Sequence, residues 1–164
     1  MSAAADDRRR LVKVTLDDDP RIRRSREVEH ERAVAVFDLL EENSFALVGD
    51  EGGPYSLHIA VQENRLVLDI RNGDERPIEA VTLPLSPFRS LIRDYFKICE
   101  AYMEAIRTAS LSRIEAIDMG RRAVHNEGAA LLSERLAGRI AMDDPTRRRL
   151  FTLICVLHVR EWRE

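Results

Sequence analysis

The longest helical pattern of the chain lies between Ser112 and Leu136, and it constrains the fold more than any other stretch. Ser112 and Glu115 have the Ser-x-x-Glu spacing of a capping box, which predicts a helix that begins at Arg113. Gly138 is a natural stop, because glycine enters the left-handed conformation without strain. The apolar stripe along this helix consists of Ile114, Ile117, Val124, Leu131 and Leu132.

Two glycines, Gly120 and Gly128, interrupt this pattern. Each costs about 1 kcal/mol relative to alanine in a helix interior. They therefore indicate either the close approach of another backbone or a kink. A break near Asn126 that gives two shorter helices fits the sequence equally well.

The same helix carries the densest cluster of chemically capable side chains. Asp118, Arg122 and His125 share one face, because residues three and four apart are neighbours on a helix. Arg121 projects into the apolar stripe, where its charge requires a carboxylate or backbone carbonyl groups. The cluster indicates either a ligand-binding surface or a polar network that holds the helix to its neighbours.

The first predicted helix, from about Glu27 to Glu42, adds His30 and Glu31 to the candidates. A zinc-protease helix requires a second histidine four positions after the first, and position 34 is Val34. No metal site and no cofactor are therefore predicted. The candidate ligand-binding residues are His30, Glu31, Asp118, Arg121, Arg122, His125, Asn126 and Glu127.

Alternating apolar and polar residues predict a β-meander in the middle of the chain. Its three strands are 55–62, 65–71 and 78–83. The links contain Glu63-Asn64 and Asn72-Gly73, which are hairpin signals. One face of the sheet is apolar and covered by helices, and the other is wetter. On the wetter face, His58 either forms a site with Asp69 or Arg71 or makes ordinary cross-strand pairs.

Two short strands, 11–16 and 45–48, are predicted before the meander. The glycine-rich stretch Gly49–Pro54 is predicted to be a tight hairpin connection. In the first helix, spacing of three and four residues predicts a buried stripe. That stripe consists of Ala33, Val36, Phe37 and Leu40.

Two further helices are predicted around the long one. Ser86 as N-cap and Pro87 at the first helical position start a helix that ends near Thr108. Its core stripe is Phe88, Ile92, Tyr95, Cys99, Tyr102 and Ile106, and its short link to Ser112 favours an antiparallel helix pair. Asp144-Pro145 starts the last helix. From Leu150 to Val159 that helix is apolar nearly all round, so we expect it to be central or buried in an oligomer interface.

Together these elements predict an α+β fold, in which an antiparallel β-meander packs against about four α-helices and the C-terminal half is all-helical. Residues 1–26 are predicted to form a flexible tail with one short strand and a charged linker. Residues 27–164 are predicted to form a single α+β domain.

The composition is that of an ordinary globular domain, with 45% hydrophobic and 34% charged residues. A net charge of −3 argues against a generic nucleic-acid binder, although local basic patches leave that partner open. Cys99 and Cys155 lie in apolar helical patterns and are interpreted as buried free thiols in a reducing compartment. The chain shows no signal-peptide core and no apolar run that would cross a bilayer, so a cytoplasmic protein without membrane association is predicted.

Four segments carry a family resemblance: Glu29–Phe45, Ile114–Arg122, His125–Gly128 and Leu150–His158. Through them the chain resembles the uncharacterised protein family 0262 of alphaproteobacteria, from about Val14 to His158. The resemblance implies a compact bacterial cytoplasmic domain. That family has no assigned activity, so no catalytic residue is carried over.

The leading hypothesis is a non-catalytic binding or regulatory domain, because the chain lacks paired cysteines, a nucleophile elbow, a phosphate loop and a histidine pair at ligand spacing. Its partner would be a phosphate-containing ligand or a protein, held by Arg121, Arg122, His125 and the run Arg147–Arg149. Arginine suits phosphate because its planar fork makes bidentate contacts.

Two alternatives remain. The first is a metal-assisted hydrolase or phosphotransferase that uses His30, Glu31, Asp118, His125 and Glu127. It requires His30, Asp118 and His125 to converge in one pocket. The second is a structural homodimer subunit, which requires an exposed apolar face on the last helix.

Overall fold

The computed structural model describes residues 8–17, 26–50 and 52–158. The elements in chain order are β1 (Leu11–Leu16), α1 (Arg26–Glu41), β2 (Phe45–Leu47), β3 (Tyr55–Gln62), β4 (Arg65–Asn72), β5 (Pro77–Pro84), a 3-10 turn (Ser86–Phe88), α2 (Arg89–Thr108), α3 (Leu111–Leu136), β6 (Ile140–Met142) and α4 (Asp144–Leu157). The predicted α+β fold with four helices is confirmed, and the C-terminal half is helical apart from β6. Within these ranges no helix is long and apolar enough to span a lipid bilayer.

The predicted meander forms the main sheet, whose strand order is β1-β3-β4-β5. β3, β4 and β5 pair antiparallel, and β1 adds to the edge parallel to β3. Glu63 and Asn64 have φ values of 49° and 68°, which is the two-residue turn that matches the twist of a hairpin. β1 lies before the predicted domain boundary at residue 26, yet it is hydrogen-bonded into this sheet.

The predicted hairpin at Gly49–Pro54 is wrong. β2 pairs antiparallel with β6, and Ala46 lies opposite Ala141 in this second sheet. Gly53 of the loop serves close packing instead, because a Cβ on it would lie 1.7 Å from the carbonyl oxygen of Arg8. β6 escaped prediction because three residues are too few to establish an alternating pattern.

The predicted buried stripe of α1 is wrong for Ala33 and Phe37, which are exposed, whereas Val36 does pack against the core. Ala35 and Leu39 face the core, and Val28 packs against it on the same side. Phe37, from the predicted stripe, is 66% exposed. α1 carries apolar residues on two sides, and periodicity alone does not say which side meets α4.

α4 is the central helix, since every residue from Leu150 to Val156 is buried. The apolar face that the homodimer hypothesis required on this helix is therefore covered within the chain itself. Asp143, one residue before the predicted cap, accepts a hydrogen bond from the Thr146 backbone N–H at 3.0 Å. Of the predicted tail and charged linker, residues 1–7 and 18–25 lie outside the described residues.

Two helix starts differ from prediction by a few residues. Ser110, not Ser112, caps α3, because its hydroxyl accepts from the Arg113 backbone N–H at 3.4 Å. Ser86 begins a 3-10 turn, and α2 has no side-chain cap. α3 continues without a break past Asn126, and Gly138, with φ of 80°, follows its end as predicted.

The two glycines of α3 lie where neighbouring helices come closest. A Cβ on Gly128 would lie 2.4 Å from the Phe151 ring of α4. A Cβ on Gly120 would lie 3.1 Å from Cδ1 of Ile98, the flexible end of an α2 side chain. The glycines thus allow close packing, although the approaching groups are side chains and not backbone.

Gly128→Ala should destabilise the protein by about 1–3 kcal/mol, because the Phe151 ring has no room to move in a packed core. Gly120→Ala is the matched control in the same helix. Its contact meets a flexible group, and the gain in helix propensity of about 1 kcal/mol offsets the small shift required. Urea unfolding of both variants measures the difference. Equal stability of the two would contradict the described contact between α3 and α4.

Candidate functional site

A cavity of about 400 Å³ lies between α1 and α2. It exists because the two helices pack on different partners: α1 on α4 and β1, and α2 on α3. Val156 of α4 and Arg121 of α3 close its remaining sides. Protein interiors are otherwise packed as densely as organic crystals, so an open space of this size is a distinctive feature.

The walls of the cavity are mainly apolar, and α2 contributes more of them than any other element. That helix contributes Tyr95, Phe96, Cys99, Tyr102 and Met103. These positions fall on one side of a helix, because they are separated by steps of three and four residues or are adjacent. The sequence identified Tyr95, Cys99 and Tyr102 only as core packing. The signal that they line a site was present: two hydroxyl groups and a thiol in an apolar stripe each need a partner.

The polar part of the wall centres on Arg121. Its Nη2 lies 3.0 Å from Asp118 Oδ1, and its Nη1 lies 3.6 Å from Glu31 Oε1. Its guanidinium carbon is 4.8 Å from the centre of the Tyr102 ring, a cation–π geometry. Burial disfavours its charge, but Glu31 and Asp118 outweigh burial and raise the pKa of Arg121. Arg121 therefore has the carboxylate partners that its place in the apolar stripe required.

Tyr95 lines this cavity and is 2% exposed. Its hydroxyl oxygen is buried and interacts with the Cys99 side chain. Burial, with smaller contributions from Cys99 and Glu31, raises the pKa of Tyr95 well above its ordinary value. Burial also raises the pKa of the Cys99 thiol to about 11. Both groups are therefore uncharged at neutral pH.

His125 lies behind the cavity wall and does not line it. Its ring centre is 5.4 Å from that of Tyr95 and 6.5 Å from that of Phe151. Its Nε2 is 3.3 Å from Thr152 Oγ1. Burial and the nearby Arg121 charge lower the pKa of His125 to about 4, so it is neutral at pH 7.

The structure divides the eight predicted site residues into three groups. His30, Glu31 and Arg121 line the cavity. Asp118 is not among the lining residues but pairs with Arg121, and His125 lies behind the wall. The remaining three are on the surface: Arg122, Asn126 and Glu127. Of the three residues that the enzyme hypothesis required in one pocket, only His30 lines the cavity, and the part of the chain that is described contains no group of three His, Cys, Asp or Glu side chains that could hold a metal ion.

A second polar cluster lies on the outer face of the main sheet, where the sequence placed His58. His58 Nε2 is 2.8 Å from Glu75 Oε2, which Arg71 Nη1 also approaches at 3.4 Å. Arg71 pairs in turn with Asp69 at 2.8 Å, and Lys13 lies 3.6 Å from Glu75. The hydrogen bond from His58 is the largest influence that lowers the pKa of Glu75 to about 2. Each charge here has an opposite partner, which is the arrangement of a cross-strand pairing network.

Comparison with known proteins identifies one family. A family model described as Uncharacterised protein family (UPF0262) matches residues 8–160. A UPF0262 protein of Paramagnetospirillum magneticum is 58% identical over 93% of this chain and 98% of its own length. UPF0262 proteins of Rhodospirillum rubrum and Azorhizobium caulinodans are 56% and 59% identical, over 92% and 91% of this chain and 92% and 93% of their own lengths. No solved structure matches the chain.

The depressed pKa of His125 predicts a loss of stability in acid. Between its ordinary value of 6.5 and its folded value of about 4, the unfolded chain takes up a proton that the folded protein does not. Stability should therefore fall by up to about 3 kcal/mol as the pH drops through this window, and this contribution stops changing below about pH 4. The measurement is urea unfolding at a series of pH values.

His125→Gln is the control, since glutamine keeps a polar group near Thr152 and does not titrate. Its stability should depend less on pH between 7 and 4 than that of the wild type. Parallel curves for the two proteins would mean that His125 is not buried in its neutral form.

Proposed function

The chain belongs to the uncharacterised protein family UPF0262, and on that premise we propose that it is a cytoplasmic binding domain whose cavity between α1 and α2 holds a small, mainly apolar molecule. The observation that carries the proposal is the cavity itself, about 400 Å³ with aromatic, aliphatic and thioether walls. Sites for small molecules typically have about 300–1,000 Å³, with apolar walls and a few convergent polar groups. Arg121 and Glu31 are the convergent polar groups here.

The phosphate-containing ligand predicted from the sequence fits this geometry less well. Arg121 is already paired with Glu31 and Asp118, and Arg122 with Asp118 at 3.1 Å. In the run at the start of α4, Arg147 lies 2.6 Å from Asp144. A phosphate would have to compete with these carboxylates for the same guanidinium groups. The apolar walls offer it no compensating contact.

The test is the binding of Prodan, an uncharged naphthalene with one carbonyl group, whose fluorescence reports its surroundings. We expect saturable binding to the wild type and a higher melting temperature, since a ligand at one hundred times its dissociation constant stabilises a protein by about 2.7 kcal/mol. Cys99→Phe places a ring in the cavity and should abolish binding.

Met119→Phe is the matched control, because Met119 is 69% exposed on α3 and is not part of the cavity wall. It should bind Prodan as the wild type does. Binding that is absent in the wild type, or unchanged in Cys99→Phe, would contradict the proposal.

A second candidate function is the binding of a protein partner, and the exposed side of α1 favours it. Phe37 is 66% exposed beside a shallow groove that the half-buried Val36 and Leu40 and Val14 of β1 also line. Exposed apolar patches with this spacing are typical of helix-mediated interfaces. If the partner is a second copy of the chain, light scattering should show a dimer in the wild type and a monomer in Phe37→Glu. Identical masses for the two would leave this face without a role in self-association.

A further inference from the structure

We infer that β1 pairs antiparallel with β1 of a second copy of this chain, with Thr15 at the two-fold axis, so that the four-stranded main sheets of the two copies join into one continuous sheet. This inference rests on the second candidate function, a protein partner, and it does not depend on a ligand in the cavity. It gives that candidate a surface and a register.

The first support is the open backbone of β1, which lies at an edge of the main sheet. Within the described ranges, β3 is the only strand that pairs with it. The Asp17 N–H donates to the Ile59 carbonyl oxygen of β3 at 2.8 Å. Because the N–H and C=O groups of successive residues alternate between the two sides of a strand, those of Val14 and Leu16 point away from β3. They form the hydrogen-bonding edge that a second strand requires.

The second support is that the other parts of the two sheet edges are protected. At the start of β1, the Asn43 side chain accepts from the Leu11 N–H at 2.7 Å and donates to the Leu11 carbonyl oxygen at 3.0 Å. The opposite edge, β5, begins at Pro77 and ends at Pro84, which have no N–H to donate. Natural sheets use such devices to prevent pairing between edges. Among the described strands of this sheet, the segment Val14–Leu16 is thus the part suited to pair.

The third support is the sequence of this segment, which is complementary to itself in the antiparallel direction. With Thr15 at the two-fold axis, Val14 lies opposite Leu16 of the second copy, and their outward backbone groups form hydrogen-bonded pairs. The same register places Lys13 opposite Asp17 of the second copy, and both side chains are exposed. Opposite charges directly across a strand pair stabilise it, whereas like charges destabilise it.

Neighbouring registers lose this match. A shift of one residue sets outward backbone groups against inward ones, so no hydrogen-bonded pair forms. A pairing centred on Val14 or on Leu16 keeps the alternation but places Thr15 opposite Lys13 or Asp17. Neither of those arrangements brings the two opposite charges together. The register centred on Thr15 is therefore favoured by both the backbone and the charges.

The fourth support is the shallow groove between β1 and α1. Val14 and Leu16 face the helical side of the sheet, where both belong to the core or pack against it. On that side, the groove beside the open edge is also lined by Val36 and Phe37 of α1. Val14 and Leu16 of the second copy would enter this groove and cover the exposed Phe37 ring. The two-fold symmetry repeats this burial, because each copy fills the groove of the other.

The experiment reverses the charges that face each other across the proposed strand pair. Asp17→Lys places a lysine opposite Lys13 of the second copy, and Lys13→Glu places a glutamate opposite Asp17. The double variant Lys13→Glu/Asp17→Lys restores opposite charges with their signs exchanged. Glu79→Lys is the matched control, because it makes the same change of charge as Asp17→Lys at an exposed position of β5, on the other edge. Analytical ultracentrifugation over a dilution series measures the dissociation constant of each dimer, and circular dichroism checks that each variant is folded.

We expect the wild type and Glu79→Lys to form dimers with the same dissociation constant. Each single variant in β1 should raise that constant about tenfold or more, and the double variant should return it to within about threefold of the wild type, because two attractive pairs become repulsive and then attractive again. Lys13→Glu also loses the 3.6 Å contact of Lys13 with Glu75. If that loss unfolds the variant, the comparison of Asp17→Lys with Glu79→Lys decides alone.

Three results would overturn the inference: a wild type that stays monomeric up to millimolar concentration, a dimer of Asp17→Lys as tight as that of the wild type, or a folded double variant that associates no more tightly than the single ones. The first would leave the β1 edge to an extended segment of another protein. The second would leave self-association to the exposed side of α1, which Phe37→Glu tests separately. Prodan binding tests the cavity independently of all three.

Discussion

The complete burial of α4 is the constraint on which the rest of the structure depends. A helix whose side chains from Leu150 to Val156 are buried all round must be covered on every side, and α1, α2, α3 and β3 supply that cover. The contact between Gly128 and the Phe151 ring sets how close α3 comes. Once α1 and α3 lie against α4, the place of α2 follows, because α2 packs along α3.

The cavity is a consequence of this order of packing. α1 and α2 are both held by other elements, and neither is drawn onto the other. Arg121 bridges part of the gap between α1 and α2 through its contacts with Glu31 and the Tyr102 ring. The cavity therefore has mainly apolar walls with these polar contacts beside them. A cavity that results from the placement of three helices, and not from one missing side chain, does not close by the repacking of a single residue.

Much of the fold was predictable from local patterns, whereas the site was only partly so. The meander, the four helices and the central position of α4 follow from periodicity and turn residues, which act over short distances. The buried face of α1 did not follow, because Ala35 and Phe37 are equally compatible with burial until the position of α4 is known. β6 and its pairing with β2 were also not predicted, because the two strands are remote from each other in sequence.

The candidate site was likewise predicted only in part. Arg121 was identified because an arginine in an apolar stripe requires carboxylates, and both Glu31 and Asp118 are there. His125 was predicted to belong either to a ligand-binding surface or to a polar network that holds the helix to its neighbours, and it packs against the rings of Tyr95 and Phe151. Tyr95 was taken for core packing, because whether a buried hydroxyl has a partner depends on the neighbouring helices and not on its own.

The pairing of β2 with β6 also determines when this fold is completed during synthesis. Phe45 lies opposite Met142, so the second sheet cannot close until most of the chain has left the ribosome. α4 follows β6 directly in the chain. The helices that pack around α4 therefore reach their final packing only after α4 has been synthesised. Contacts between residues so distant in sequence slow folding. Until then, the sides of α1 and α3 that pack on α4 have no cover, and this interval is when the nascent chain is most exposed to chaperones and to aggregation.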